Sequence, residues 1–345
     1  MTGSIRRLKE EQVQKIPGGL ATSLLVLLAA FSASAVAQTA LVRVNAFPTA
    51  GYAALYVGIA NGVFEKRGVR VELQFTPSSQ AQRDGLAKGD FEVAYAAVDN
   101  AVAMVETAKH DVIIVTGGDT GMNEFMARPE IKSIQDIRGK NLIVDAPNTA
   151  YALLAKKILK NAGLAEGRDY TVKPIGGTPE RLEAMGKGPE NAAGMLNPPF
   201  SYAAKDKGMR SFGRATDLLG PYQAGGAFVM RSWARANGAV LERFIAGYIE
   251  AARMTLDPAN RAQVVSLIAA RLKQETKVAE RSYESLLERG FGLAPDAKFD
   301  MDGFRAVLAL RAEIEGQWGG KPPAPDKYLD LGYYERALAL VGRRM

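Results

Sequence analysis

A buried-strand pattern, a proline turn and an amphipathic helix follow one another within residues 142–163, and this unit constrains the fold most strongly. Residues 142–144 form the short apolar run of a buried strand, which Pro147 ends. Apolar residues then recur at three- and four-residue spacing, which predicts a helix that begins at Asn148 or Thr149. The amides and positive dipole end of such a helix predict a receptor for a polar or anionic group.

Three other predicted strands, at residues 69–75, 93–97 and 195–196, also end in turns rich in Ser, Asp, Asn or Pro. Because the carboxyl ends of parallel strands meet at one crevice of an open α/β sheet, these turns predict a single binding site. The candidate ligand-binding residues in and beside the turns are Phe47, Tyr52, Ser78, Ser79, Asp99, Asn100, Asn148, Thr149, Asn197, Phe200 and Tyr222.

Each candidate also has a purely structural interpretation. Serines 78 and 79 and Asp99 are typical helix caps, and Phe47 and Tyr52 suit packing beneath a loop. The segment that ends in Phe200 reads as a rigid proline turn, and Tyr222 suits either packing at a chain crossing or closure over the site. The sequence leaves both interpretations open.

The first 37 residues predict a signal peptide. Basic residues precede an apolar run of 12 residues, at 20–31, and small residues follow up to Ala37, where cleavage is expected. A membrane-spanning helix needs about 20 apolar residues, so export with cleavage is favoured over an uncleaved anchor. The Arg6–Arg7 pair lies far from the apolar run, which favours ordinary secretion over twin-arginine export. The predicted location is the periplasm.

Composition excludes several classes of function. The chain of 345 residues has no cysteine, so disulfides and a lipid-bearing thiol are excluded. Its formal charge is +7, but the basic residues are interspersed with acidic residues along the chain, which disfavours a nucleic-acid partner. His110 is the only histidine, so no catalytic or metal site built on histidine or cysteine is predicted, and neither a metal nor a cofactor is expected. A Ser-Lys or paired-carboxylate enzyme stays open.

Two glycine-rich breaks, at residues 117–121 and 220–226, divide a repeating strand-helix pattern. They predict an α/β protein with two doubly wound lobes joined by a hinge. Lobe I is predicted to comprise residues 38–122 plus 223–345, including a helical C-terminal tail, and lobe II residues 123–222. A small-molecule ligand between the lobes and a monomeric state are expected.

Four segments together resemble the NMT1/THI5-like substrate-binding proteins of ABC importers, a group that includes sulfonate, taurine and nitrate binders. The first is GIANGVFEKRGVRV at residues 58–71, and the others span residues 85–94, 131–140 and 144–164. The resemblance implies a type II periplasmic-binding fold, a ligand held between the lobes, and delivery to a membrane permease with its ATPase.

The ligand class is predicted from the residues around the turns. A helix N-terminus contributes about 0.3–1 kcal/mol toward an anion, whereas micromolar affinity requires about 8 kcal/mol. Apolar and aromatic walls must supply the difference, which favours a planar or aromatic molecule with an acidic or amide-like group. The alternatives are an aliphatic sulfonate, nitrate or related oxyanion, and a pyrimidine-precursor enzyme of the THI5-like group. The resemblance implies that this enzyme group depends on histidine and a cysteine-rich segment, whereas this chain has one histidine and no cysteine.

Overall fold

Two five-stranded sheets form the framework of the computed structural model, which describes residues 39–342. The predicted signal peptide at residues 1–37 lies outside the described residues. The strands are β1 (Ala40–Ala46), β2 (Val69–Phe75), β3 (Val93–Ala97), β4 (Val112–Ile114), β5 (Glu124–Ala127), β6 (Lys140–Val144), β7 (Tyr170–Pro174), β8 (Asn191–Leu196), β9 (Arg210–Arg214) and β10 (Gly225–Met230).

Helices pack on both sheets and form most of the C-terminal region. They are α1 (Ala53–Ala60), α2 (Ser79–Lys88), α3 (Asp99–Glu106), α4 (Ala150–Asn161), α5 (Thr178–Lys187), α6 (Phe200–Asp206), α7 (Ala215–Leu219), α8 (Arg231–Ala236), α9 (Gly238–Leu256), α10 (Arg261–Leu272), α11 (Thr276–Leu287), α12 (Met301–Glu315) and α13 (Gly332–Val341). None of the helices among the described residues is both long and apolar enough to span a membrane.

The two sheets have equivalent strand orders. The first is β2-β1-β3-β10-β4 and the second is β7-β6-β8-β5-β9. In each, four strands run in the same direction, and the strand contributed after a chain crossing, β10 or β5, pairs antiparallel with both of its neighbours. The predicted α/β class is confirmed. We call the first sheet with its helices lobe I and the second lobe II; the exact lobe boundaries stay a prediction.

Several local patterns explain these elements. Strand β2 alternates buried and exposed residues at its start, as expected for a strand with one face on the core. Ser133 and Asp136 form a capping box that starts a short 3₁₀ helix. Gly89 ends α2 in the left-handed conformation, with φ of 78°.

Aromatic packing fixes helix α9 on lobe I. The sequence predicts that Phe244 and Tyr248 share an inward face, and both are buried. Phe244 stacks on Phe64 with 5.5 Å between the ring centroids, and the ring centroids of Tyr248 and Tyr95 of β3 lie 4.7 Å apart. Such contacts bury large apolar area and hold the first sheet against the C-terminal helices.

The C-terminal helices also reach lobe II. Glu313 of α12 accepts a hydrogen bond from Lys157 of α4 at 2.6 Å. Arg281 of α11 pairs with Asp206 of α6, and its guanidinium lies 5.1 Å from the ring centroid of Tyr202. The region after β10 therefore contacts both lobes.

Candidate functional site

A cavity of about 40 Å³ lies where the carboxyl ends of strands from both sheets meet. Its walls come from the segments after β1 and β3 of lobe I and after β6 and β8 of lobe II. These strand pairs are the points at which each sheet's strand order reverses, where open α/β sheets place their ligands. This volume holds roughly three water molecules.

The lobes contact each other directly around this cavity. The amide of Ala50 donates to the carbonyl of Pro198 at 3.0 Å, and the amide of Gly177 donates to the carbonyl of Pro77 at 2.9 Å. A ligand larger than a few heavy atoms therefore requires the lobes to lie further apart than they do here.

More than half of the predicted site residues line this cavity. They are Phe47, Tyr52, Ser79, Asn100, Thr149 and Asn197. The expectation that turns from both lobes converge on one place thus agrees with where the structure puts these side chains. Their contact with a ligand stays a prediction.

The other five predicted residues do not line the cavity. The hydroxyl of Ser78 accepts a hydrogen bond from the amide of Ala81 at 3.2 Å, which makes it the cap of α2. Phe200 is buried in an apolar cluster of lobe II, and Tyr222 is buried close to the glycine-rich crossing. Asp99 and Asn148 lie behind the cavity wall, where they contact Arg311.

Asp99 and Arg311 form a buried ion pair. Arg311 Nη1 donates to both carboxylate oxygens of Asp99, at 2.9 and 2.8 Å, and to the carbonyl of Asn148 at 3.1 Å. The side chains of Arg311 and Asp99 are 0% and 1% exposed. Asp99 is the first residue of α3 and not its N-cap, which is Val98. Its carboxylate therefore faces a cation and another helix, and it does not cap its own helix.

That other helix is α4. Thr149 occupies its N-cap position, but the expected capping bond from the side chain of Thr149 is absent. The amide of Ala150 donates instead to Asp99 of lobe I. Thr149 is therefore the N-cap residue of α4 by position, but the acceptor for the first amide of the helix comes from Asp99 of the opposite lobe.

The start of α2 shows the reverse arrangement. The amide of Ser79, in lobe I, donates to both carboxylate oxygens of Asp145 in lobe II, at 3.1 and 3.0 Å. Each lobe thus supplies a carboxylate to the N-terminus of a helix in the other lobe. In this arrangement the first amides of α2 and α4 are engaged by the protein and are not free for a ligand anion.

The sequence analysis missed five polar cavity residues: Thr49, Asp145, Tyr151, Thr178 and Arg181. Asp145 directly follows β6, so the rule that found Asp99 after β3 was sufficient to find it. Thr178 and Arg181 follow β7, whose terminal turn was not among those considered. An arginine in the first turn of a helix carries no sequence signal that separates it from an exposed residue.

Arg181 is a buried cation in the cavity wall, with 3% of its surface exposed. Its guanidinium donates to the carbonyls of Met195, at 3.2 and 3.1 Å, and Gly176, at 2.5 Å. It also donates to the hydroxyl of Thr178 at 3.1 Å. Burial lowers the pKa of Arg181, and the charge of Asp145 acts in the opposite direction.

Every acceptor of Arg181 among the described residues is neutral. The hydroxyl of Thr178 extends this hydrogen-bond network to Asn197, since it donates to Asn197 Oδ1 at 2.8 Å. Because burying a charge without a counter-ion is costly, this side of the cavity is suited to the acidic group of a ligand.

Ala150 has a strained backbone at the interlobe contact. Its φ is +44°, in the region that glycine adopts without steric cost. We expect Ala150→Gly to raise the free energy of unfolding by about 0.5–1 kcal/mol, because the relieved strain exceeds the added chain entropy. Thermal melting of the variant and the unchanged protein measures this difference in the free energy of unfolding. The control is Ala152→Gly within α4, expected to lose about 1 kcal/mol; equal losses in the two variants would contradict the strain.

The fold, two α/β lobes around one cavity, is the periplasmic-binding-protein fold, so the predicted type II binding-protein fold is confirmed. Residues 42–206, just under half of the chain, match the family model described as ABC transporter, phosphonate, periplasmic substrate-binding protein. Over this segment the chain is similar to that family. No curated protein matches the chain at the sequence level.

Solved structures support this assignment at the level of fold. The periplasmic nitrate-binding protein NrtA from Synechocystis PCC 6803 superposes with a TM-score of 0.73 and 12% identity, over 88% of this chain and 89% of that one. The alkanesulfonate-binding protein SsuA from Xanthomonas axonopodis pv. citri, bound to MOPS, superposes with a TM-score of 0.68 and 16% identity, over 84% of this chain and 98% of that one. The suspected likeness to sulfonate- and nitrate-type binders is confirmed.

One enzyme shares the fold. The desulfurization enzyme DSZB superposes with a TM-score of 0.57 and 14% identity, over 87% of this chain and 99% of that one. By contrast, the matching family model is described as a transporter's substrate-binding protein, and the two structures above are described as binding proteins.

Proposed function

We propose that this protein is the solute-binding component of an ABC importer, which captures a small organic acid in the cavity between its lobes and delivers it to a membrane permease. The observation that carries the proposal is Arg181, a buried cation in the wall of a cavity where strand ends from both lobes converge. A monomer exported by its N-terminal signal peptide, acting with a permease and an ATPase, completes the proposal.

The cavity walls support a compact, partly planar ligand. Phe47, Tyr52 and Tyr151 supply aromatic surface, and Thr149, Thr178 and Asn197 supply polar groups. Sites with apolar walls and a few placed polar groups are typical of small-molecule binding. The small volume favours the compact end of the predicted class of planar or aromatic acids.

An aliphatic sulfonate, nitrate or related oxyanion is the second candidate. The buried charge of Arg181 also suits an oxyanion, and the two solved relatives described above bind alkanesulfonate and nitrate. Against it, Asp99 and Asp145 occupy the helix N-termini that would otherwise hold such an anion. An oxyanion would therefore depend on Arg181 and its neighbours.

A thermal-shift screen of the full-length gene product, purified after export from the host cell, tests the proposal. The panel contains aromatic acids, aliphatic sulfonates, nitrate and pyrimidines. A ligand at a hundredfold excess over its Kd stabilises the folded state by about 2.7 kcal/mol, which shifts the melting temperature measurably. Saturable stabilisation without consumption of the ligand is expected. Chemical conversion of the ligand would favour the enzyme alternative instead.

A cavity variant checks that the ligand binds at the proposed place. Thr149→Val removes a buried hydroxyl of the cavity wall and keeps the shape of the side chain, so we expect the best ligand to bind about fivefold more weakly. Thr107→Val alters an exposed threonine and should leave affinity unchanged. Equal affinities of both variants and the unchanged protein would place the site elsewhere.

A further inference from the structure

The cavity contains one acidic and one basic side chain that do not neutralise each other. Asp145 and Arg181 are the only ionisable Asp, Glu, Lys or Arg residues in the lining that the structure describes. Among the described residues neither has an ion-pair partner within 4 Å. The two walls of the cavity therefore carry opposite charges that form no direct ion pair among the described residues, although the charge of Asp145 acts at longer range on Arg181 and Arg83.

The acidic wall has spare acceptor capacity. Among residues 39–342, the one group that donates hydrogen bonds to Asp145 is the amide of Ser79. A carboxylate has about four lone-pair sites, so most of its capacity is unused by the described residues. An ammonium or amide N–H of a ligand satisfies it without displacing Ser79.

The basic wall has spare donors. Four of the five N–H groups of Arg181 are used, since Nε and Nη1 each make one bond and Nη2 makes two. One N–H of Nη1 therefore lacks an acceptor among the described residues. Asn197 accepts from Thr178 through Oδ1, which leaves its Nδ2 as a second donor beside Arg181.

Resting on the proposed function, we infer that the ligand is a small dipolar ion, whose acidic group binds Arg181 and Asn197 while its ammonium or amide group binds Asp145. A ligand of this kind adds no net charge to a desolvated site and pairs both walls at once. A simple anion would pair Arg181 but would leave Asp145 facing added negative charge. Recognition of both ends of the ligand requires that Asp145 and Arg181, which both belong to lobe II, line the same cavity. They do.

Matched ligand sets test this inference. Calorimetric titration of the exported full-length product compares β-alanine with propionate and propylamine, and 2-aminoethanesulfonate with ethanesulfonate. We expect the dipolar member of at least one set to bind at least tenfold more tightly than each of its single-charge analogues. Equal or tighter binding of propionate or ethanesulfonate overturns the inference and leaves the solute-binding function intact. A panel that shows no binding contradicts both proposals.

Variants assign each end of the ligand to its wall. Asp145→Asn keeps an acceptor for Ser79 but removes the charge, so it should abolish the preference for the dipolar ligand over the acid alone. Arg181→Met should weaken every acidic ligand about 10- to 100-fold, and Arg181→Lys, which keeps the charge, should recover part of that loss even if the Met variant folds poorly.

The controls are Asp84→Asn and Arg210→Met, which change exposed residues of the same types and should bind as the unchanged protein does. If Asp145→Asn kept the full preference for the dipolar ligand, the assignment of its ammonium group to Asp145 would be wrong.

Discussion

Replacing Arg311 by leucine is expected to lower the free energy of unfolding by about 3–5 kcal/mol, because it leaves the carboxylate of Asp99 buried without its cation. Both side chains are almost completely buried, and Nη1 of Arg311 contacts both carboxylate oxygens. The same arginine holds the carbonyl of Asn148 at the start of α4. Chemical denaturation measures the loss, together with the binding of any ligand found in the screen.

Two controls separate the ion pair from the rest of α12. Arg305 lies on the same helix and pairs with Asp302 at 2.5 Å, but its side chain is 60% exposed. Arg305→Leu should therefore cost less than about 1 kcal/mol. The double variant Asp99→Asn with Arg311→Leu removes both charges and should recover much of the loss. A cost below 1 kcal/mol for Arg311→Leu alone would show that Asp99 is not held as an uncompensated charge.

The sequence predicts the elements of this fold well because periodicity and turn residues are local. Strands β2 and β3 have the predicted bounds, and the inward face of α9 is confirmed at Phe244 and Tyr248. Glycine and proline mark where elements end, since their backbone preferences do not depend on distant contacts. The crossing segments are glycine-rich, and the chain changes sheet after β4 and again after β9.

The partners of the site residues are not local, and here the sequence analysis fails in part. Asp99 has the pattern of a helix cap, yet its partner Arg311 lies 212 positions away in the chain. The acceptor for the first amide of α4 comes from lobe I, and that for the first amide of α2 comes from lobe II. Residue type and spacing cannot distinguish a carboxylate that faces a ligand from one that closes the lobes.

These exchanged carboxylates change what the cavity can select. If the helix N-termini were free, anion charge alone would favour binding, and any small oxyanion would suit the site. With Asp99 and Asp145 engaged there, our proposal assigns the selection of ligands to Arg181 and to the spare oxygens of Asp145. Asp145 takes part in a contact between the lobes and also in the proposed recognition of the ligand's ammonium group. One residue therefore links the two.

Replacing Gly117 by alanine is expected to lower the free energy of unfolding by about 3 kcal/mol, because the main chain of another segment occupies the space that a side chain needs. A Cβ atom at this position would lie 2.3 Å from the carbonyl oxygen of Lys298 and 2.9 Å from the Cα of Phe299. The amide of Gly117 also donates to the carbonyl of Ala297 at 3.0 Å, which fixes the two segments together. Backbone atoms cannot rotate away as a flexible side chain can, so the segment that leads into α12 must shift.

The shift also displaces the helix that carries Arg311, so the Gly117→Ala variant should bind the ligand more weakly as well as melt at a lower temperature. Gly186→Ala is the matched control, because that glycine lies inside α5 and a Cβ there would meet nothing within 4 Å. Alanine at this position should stabilise the helix by up to about 1 kcal/mol. If Gly117→Ala melted at the temperature of the unchanged protein, the close approach of the Lys298 main chain would not be present in solution, since no rearrangement of side chains alone makes room for the added atom.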